Sequence, residues 1–176
     1  MQAADGEHLV KISWSIKGYH AFHIRPPINI DLNIEIENNN RYDENAVLVK
    51  IPDLVDLPEH VLNQLPEGSN QRPLRQLAGR PVGRVPANVC KAFKQLLQTQ
   101  MAKKVICRYT GMAAPSRNPP SHQRFHRTNR IFDIPGGGAE LSCDYFILIN
   151  KSHFREAMRV LENCIPFQDL DARLSA

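Results

Sequence analysis

Every second position from Ile28 to Ile36 carries a large aliphatic side chain, with Asn29, Asp31, Asn33 and Glu35 between them. A period of two puts Ile28, Ile30, Leu32, Ile34 and Ile36 on one face of an extended chain, whereas a helix would scatter them around its axis. The run predicts a strand over 28–37. Val10, Ile12, Trp14 and Ile16 alternate in the same way with Lys11, Ser13 and Ser15, predicting a strand over 8–19. AVLVKI at 46–51, PVGRV at 81–85, the segment 103–110 with Val105 and Cys107 on one face, and the aromatic and β-branched run 141–149 supply further strands. The Asn38-Asn39-Asn40 run interrupts the pattern, because Asn favours turns.

Helical spacing is confined to two places. Val89, Ala92, Phe93, Leu96 and Leu97 make one apolar face over 86–101, with Pro86 suited to the first turn and Lys91, Lys94 and Gln98 on the wet side. Phe154, Ala157, Met158 and Leu161 make a second face, with Ser152 as the expected N-cap. Segment 52–80 reads as an irregular insertion with helical turns near 59–64 and 74–77. Residues 111–139, rich in Pro, Ser, Asn, Arg and Gly, read as a mobile loop. The expected organisation is an N-terminal tail at 1–8, a barrel domain over 9–150, and a C-terminal helix and tail at 151–176. The fold class is mostly β (α+β): a small β-barrel with one or two packed helices.

At 176 residues the chain suits one domain with a hydrophobic core. It contains no apolar run of the roughly 18 residues that a membrane helix needs, and its start, MQAADGEHLVK, is not a secretory signal. Cys90, Cys107, Cys143 and Cys164 include no CxxC pair, so they read as reduced core residues and not as zinc ligands. The expected location is nuclear or cytoplasmic, not secreted.

Charge is segregated along the chain. Residues 68–132 contain no Asp or Glu and carry thirteen Lys and Arg, a charge of +13, between flanks of −6 and −3. Such a block is the usual footprint of a polyanion partner. Equally, it would arise if the block folded against the acidic flanks in ordinary ion pairs.

Two segments carry more than pattern. One is Asn40-Arg41-Tyr42-Asp43-Glu44-Asn45-Ala46; the other is Pro81-Val82-Gly83-Arg84-Val85-Pro86-Ala87, which leads into the helix. With Gly18-Tyr19-His20 upstream, they resemble the HIRAN domain family, in which an Asn-x-Tyr-Asp-x-Asn-Ala turn precedes a Val-Gly-x-Val/Ile-Pro strand and a helix. The resemblance covers roughly residues 9–110 and on to the closing strand, with a long insertion at 52–79. It implies a HIRAN-type barrel, similar to an OB-fold, that holds the 3′-hydroxyl end of single-stranded DNA. Asn40, Tyr42 and Asp43 match pocket positions, with Tyr42 offering a stacking face and the Asp43 carboxylate accepting a terminal hydroxyl while repelling an internal phosphate. Fork-remodelling members carry a basic and an aromatic residue after the first strand, where this chain has His20 and Ala21 followed by Phe22. They carry a lysine where this chain has Ala87, which leaves Arg84 and Arg25 as candidate substitutes.

The plain reading of the same residues is that Asp43 caps a local N–H, Tyr42 packs and Asn45 serves the turn. Arg117, Arg124, Phe125, Arg127 and Arg130 form a secondary basic loop around one aromatic ring, a pattern suited to single strands or to a solvated loop. His122 and His126, without a nearby Cys, Asp or Glu, do not make a metal site. No G-x-S-x-G, Walker or H-E-x-x-H motif is present, and Gly136-Gly137-Gly138 lacks the following Lys-Ser/Thr of a phosphate cradle. The expectation is a binding module, not an enzyme, with no cofactor. Its partner is single-stranded DNA or its 3′ end, or else RNA, bound through Asn40, Tyr42, Asp43, His20, Phe22, Arg84 and Lys104. The alternative is a protein-interaction module with a degenerate DNA pocket.

Overall fold

The computed structural model describes residues 6–28, 30–67, 69–115, 139–165 and 170–173. Seven strands form one antiparallel sheet: β1 (Glu7–Ile16), β2 (Leu32–Ile36), β3 (Val47–Lys50), β4 (Pro81–Arg84), β5 (Ala102–Pro115), β6 (Ala139–Asn150) and β7 (Leu170–Arg173). Their order is β4-β3-β2-β5-β6-β1-β7. The sheet curls until Lys17, just past β1, meets Arg84 at the end of β4. The Lys17 N–H donates to the Arg84 carbonyl at 2.9 Å and the Arg84 N–H to the Lys17 carbonyl at 2.8 Å. That one pair of bonds joins the two ends of a six-strand barrel, with β7 added on the outer stretch of β1.

Alternation makes the inside of the barrel apolar. Val10, Ile12, Ile16, Leu32, Val47, Val49, Leu141, Tyr145 and Ile147 are buried. Helix α2 (Ala87–Gln98) packs Val89, Ala92, Phe93 and Leu96 into this core. Phe93 stands edge-on to Tyr145 at 5.1 Å between ring centroids, and the Tyr145 hydroxyl donates to the Ser15 carbonyl at 2.9 Å. Cys90, Cys107 and Cys143 are buried and Cys164 is half-buried; all four are free thiols. Burial pushes the Cys90 thiol up to about 11. No helix among the described residues is long and apolar enough to cross a membrane.

Several elements depart from the sequence reading. β1 stops at Ile16, and Gly18, at φ 81°, turns the chain into the one-turn helix α1 (Tyr19–Phe22). β2 covers only Leu32–Ile36 of the predicted 28–37: Ile28 lies in a turn after Pro26-Pro27 and is half exposed, while Ile30 is buried outside the ladder. β5 runs on to Pro115, so 111–115 is strand and not loop. The reason is tertiary, since Ala113, Ala114 and Pro115 pair with Leu141, Glu140 and Ala139 beyond a bulge that Gly111 makes at φ 89°. The expected N-terminal tail overlaps β1, which starts at Glu7, and the C-terminal tail contributes β7. Helix α3 (Phe154–Glu162) buries Ala157 and Leu161 in the same core; its N-cap is His153, because Ser152 lies in a preceding 3-10 turn. The insertion does hold short 3-10 turns, at Leu54–Asp56, Glu59–Val61 and Leu74–Gln76.

Candidate functional site

Three segments distant in sequence meet around one guanidinium. Arg84, the last residue of β4, donates from Nε to Glu37 Oε2 at 2.8 Å and from Nη2 to Oε1 at 2.9 Å. Its guanidinium carbon lies 5.3 Å from the centroid of the Phe22 ring on α1, within cation–π reach. Glu37 Oε2 also accepts from Asn40 Nδ2 at 2.9 Å, so the pair is tied to the turn between β2 and β3.

That turn is built by its own side chains. Asn40 Oδ1 accepts from the Tyr42 and Asp43 backbone N–H groups at 2.9 and 3.1 Å. Asp43 Oδ1 accepts from the Asn45 N–H at 2.9 Å, and the Asp43 carbonyl from the Ala46 N–H at 3.1 Å. Short Asx side chains stabilise such turns because they mimic a backbone carbonyl. Lys94 on α2 anchors the far side by donating to the Glu44 carbonyl at 2.6 Å. The plain reading therefore holds for Asn40, whose amide oxygen is fully occupied, and for one oxygen of Asp43. It fails for Tyr42, which packs on nothing: its side chain is 100% exposed at the tip of a pinned turn.

The other residues read from sequence are spread out. His20 and Ala21 are exposed on α1, and Phe22 is half-buried beneath Arg84. Lys104 is exposed on β5 opposite Leu148, in a different strand pair. Arg25 is engaged elsewhere, with Tyr109 and Glu67. Arg117, Arg124, Phe125, Arg127 and Arg130 lie outside the described residues.

Among the described residues, the cations of the basic block differ in their partners, Lys94 bonding a backbone carbonyl. Arg84, Lys103 and Arg108 pair with Glu37, Glu7 and Asp31 of the acidic flank. Arg72, Arg75, Arg80, Lys91 and Lys104 are exposed, with no acid at ion-pair distance among the described residues. Lys91 stands one helical turn before Lys94, which holds the turn, on the same stripe of α2. Sequence reasoning passed over Glu37, Lys91 and Lys94 as site residues. The helical spacing of the two lysines was visible, but the partner of Glu37 was not. Among the described residues no three His, Cys, Asp or Glu side chains converge as metal ligands.

The Arg84 hydrogen bonds hold the Glu37 carboxyl below its ordinary value of 4.5, against the opposing effect of its burial. A depressed folded-state pKa stabilises the fold at pH values above the ordinary one, and that contribution is lost as pH falls through the depressed value. Glu37→Gln is therefore expected to lower Tm at neutral pH, with the gap to wild type closing as pH falls below the ordinary value of 4.5 and through the depressed one. Thermal unfolding followed by circular dichroism across pH 3–8 measures this, and a constant gap would show that the pair adds no pH-dependent stability.

The fold, an OB-like antiparallel barrel with a helix packed on its core, is that of a HIRAN-like domain. The solved structure of the HIRAN domain of human HLTF shares it, with a TM-score of 0.54 over 90% of this chain and 92% of that chain, at 12% identity. No family model matches the sequence, and neither does any curated protein.

Proposed function

We propose that this chain is a nucleic-acid-binding module, not an enzyme, and that it takes single-stranded DNA, end first, across the face formed by α1, the 38–46 turn and the start of α2. The observation that carries this reading is the fully exposed Tyr42 ring on a turn fixed from four directions, by Asn40, Asp43, Glu37 and Lys94. An aromatic face open to water on a pinned turn suits base stacking, because the backbone that carries it is already ordered before binding. Two exposed cations supply the phosphate contacts: Arg41, next to Tyr42 in the turn, and Lys91, one helical turn from the Lys94 that anchors it. Arg84 serves this site by positioning: Glu37 already neutralises it, so its charge is not available to a phosphate without breaking a bidentate pair. The free oxygen of Asp43 is the acceptor for a terminal hydroxyl, the role that the resemblance of residues 40–46 to the HIRAN turn implies.

The test is a titration of fluorescently labelled oligonucleotides, as DNA and as RNA, with free or phosphate-blocked 3′ ends and over a range of salt. Affinity is expected to fall with rising salt, with a slope of about −0.7 per phosphate contact on a single strand. Free DNA ends are expected to bind more tightly than blocked ones. Lys91→Ala should flatten the slope by up to about one unit, and Arg84→Ala should do so less. Equal affinity for free and blocked ends would overturn end recognition, and absence of binding at low salt would overturn the nucleic-acid reading altogether.

A further inference from the structure

Closing the barrel gathers the end of β1, the start of β6 and the first turn of α2 at one place. Trp14, Ser15, Lys17, Asn88 and Glu140 line an open depression there of about 440 Å³. Parity decides what β1 contributes. Ser15 and Lys17 fall on the outward side of the alternation that buries Ile12 and Ile16, and both reach Glu140. Ser15 Oγ donates to Glu140 Oε2 at 3.0 Å, and Lys17 Nζ lies 3.2 Å from Oε1. Trp14 has the inward parity but is only half-buried: it packs on the core and keeps part of its indole open to the depression. Among the described residues no aromatic ring stacks on it.

The depression adjoins the Arg84 site. Lys17 and Arg84 exchange both backbone bonds, so their side chains stand next to each other on one side of the sheet. Arg84 turns to Glu37 and Lys17 to Glu140. The next acid along β6 on this face, Asp144, is matched by Lys11 at 2.9 Å. A carboxylate has about four acceptor positions, so each Glu140 oxygen keeps one after its bond to Ser15 or Lys17. The Lys17 side chain is 52% exposed and retains further N–H donors. Oε2, Oε1 and Nζ therefore offer acceptor, acceptor and donor in that order.

That is the order in which cytosine presents O2, N3 and its amino group to guanine. Guanine alone among the four DNA bases has two adjacent N–H donors beside a carbonyl on its Watson–Crick edge. Thymine would set a carbonyl against the carboxylate, and adenine and cytosine a bare ring nitrogen. Bases in single strands are read on this edge and stacked on aromatic rings. We infer that the depression binds a guanine base, with Trp14 against the ring, Glu140 accepting from N1–H and N2–H, and Lys17 donating to O6. This deepens the proposed function and rests on it for the source of the base, a nucleotide set back from the strand end at Tyr42 and Asp43.

Trp14 is the chain's single tryptophan, so its fluorescence reports on this depression alone. The full chain is titrated with labelled oligothymidines that carry one guanine at successive distances from the 3′ end, with strand anisotropy and Trp14 emission read together. Guanine at one or two adjacent positions should quench Trp14 and bind about tenfold more tightly than oligothymidine, the size of one hydrogen bond to a charged group. Inosine at the same position, which lacks the N2 amino group, should lose most of that gain. Glu140→Gln puts an NH2 where one acceptor stood. It should abolish the guanine preference and keep the affinity for oligothymidine and the folded circular dichroism spectrum. Strands that bind without base preference and without quenching would overturn this inference and leave the proposed function standing, as would a guanine preference that survives Glu140→Gln. Guanosine monophosphate alone is the remaining arm. If it quenches Trp14 while no strand binds, the guanine pocket stands and the single-strand reading falls; if neither it nor any strand acts, both fall.

Discussion

Replacing Gly83 by alanine is expected to lower Tm by about 6–12 °C. A Cβ at this position would collide with Ile16 Cγ2 and lie 2.6 Å from the Lys17 carbonyl oxygen. Neither is the free end of a flexible side chain: Ile16 is buried, and the carbonyl belongs to the residue that closes the barrel. The strands must therefore separate, and the two closing bonds between Lys17 and Arg84, at 2.9 and 2.8 Å, lengthen together. Overpacking of this kind costs about 1–3 kcal/mol, and each weakened backbone bond adds about 1 kcal/mol. A total near 3 kcal/mol converts to that shift in Tm for a chain of this size. Calorimetry or circular dichroism measures it. Because Arg84 supplies both the closing bonds and the pair with Glu37, the same variant should also weaken oligonucleotide binding. A Tm within about 2 °C of wild type would show that the closure adds little to stability.

Tyr42→Ala is expected to leave stability unchanged within about 0.5 kcal/mol and to weaken single-strand binding by about 1–3 kcal/mol, roughly 5- to 150-fold in Kd. Both halves follow from one fact, the complete exposure of the side chain. It buries no area that folding would lose, and its backbone N–H, which holds it to Asn40, is present in any residue. Tyr42→Phe should retain binding, because stacking uses the ring and not the hydroxyl. Asp43→Asn is the partner experiment. It keeps an oxygen to accept the Asn45 N–H, so the turn survives, and it replaces the free, charged oxygen by an amide NH2 that donates but cannot accept. Preference for a free 3′ hydroxyl over a 3′ phosphate should then shrink by about 1.5–3 kcal/mol. Fluorescence anisotropy with both oligonucleotides reads all three variants. If Tyr42→Ala binds like wild type, the ring is not a stacking platform and the proposed face is wrong.

Much of this protein is written locally. The alternation at 10–16 and 32–36 set strands and their inward faces, because side-chain direction in an extended chain depends only on sequence parity. The apolar stripe of α2 set a helix and its buried side in the same way, with Val89, Phe93 and Leu96 all buried. The turn at 40–46 was legible because its hydrogen bonds span only two or three residues, from Asn40 to Tyr42 and Asp43 and from Asp43 to Asn45. Other features depend on what the chain meets after it folds back. β2 lost its predicted start at 28–31 because its ladder to β5 pairs only Leu32 and Asn33, and β5 gained 111–115 because β6 lay alongside. Which cations of the basic block face solvent without an acid partner was decided across long separations: Arg84 found Glu37 47 residues away and Arg108 found Asp31 77 away, while Arg72, Arg75 and Lys91 found no acid among the described residues. Local sequence fixes dihedral preference and facing, whereas strand pairing, ion pairing and the tight approach at Gly83 are contacts between segments, and only the closed barrel brings those segments together.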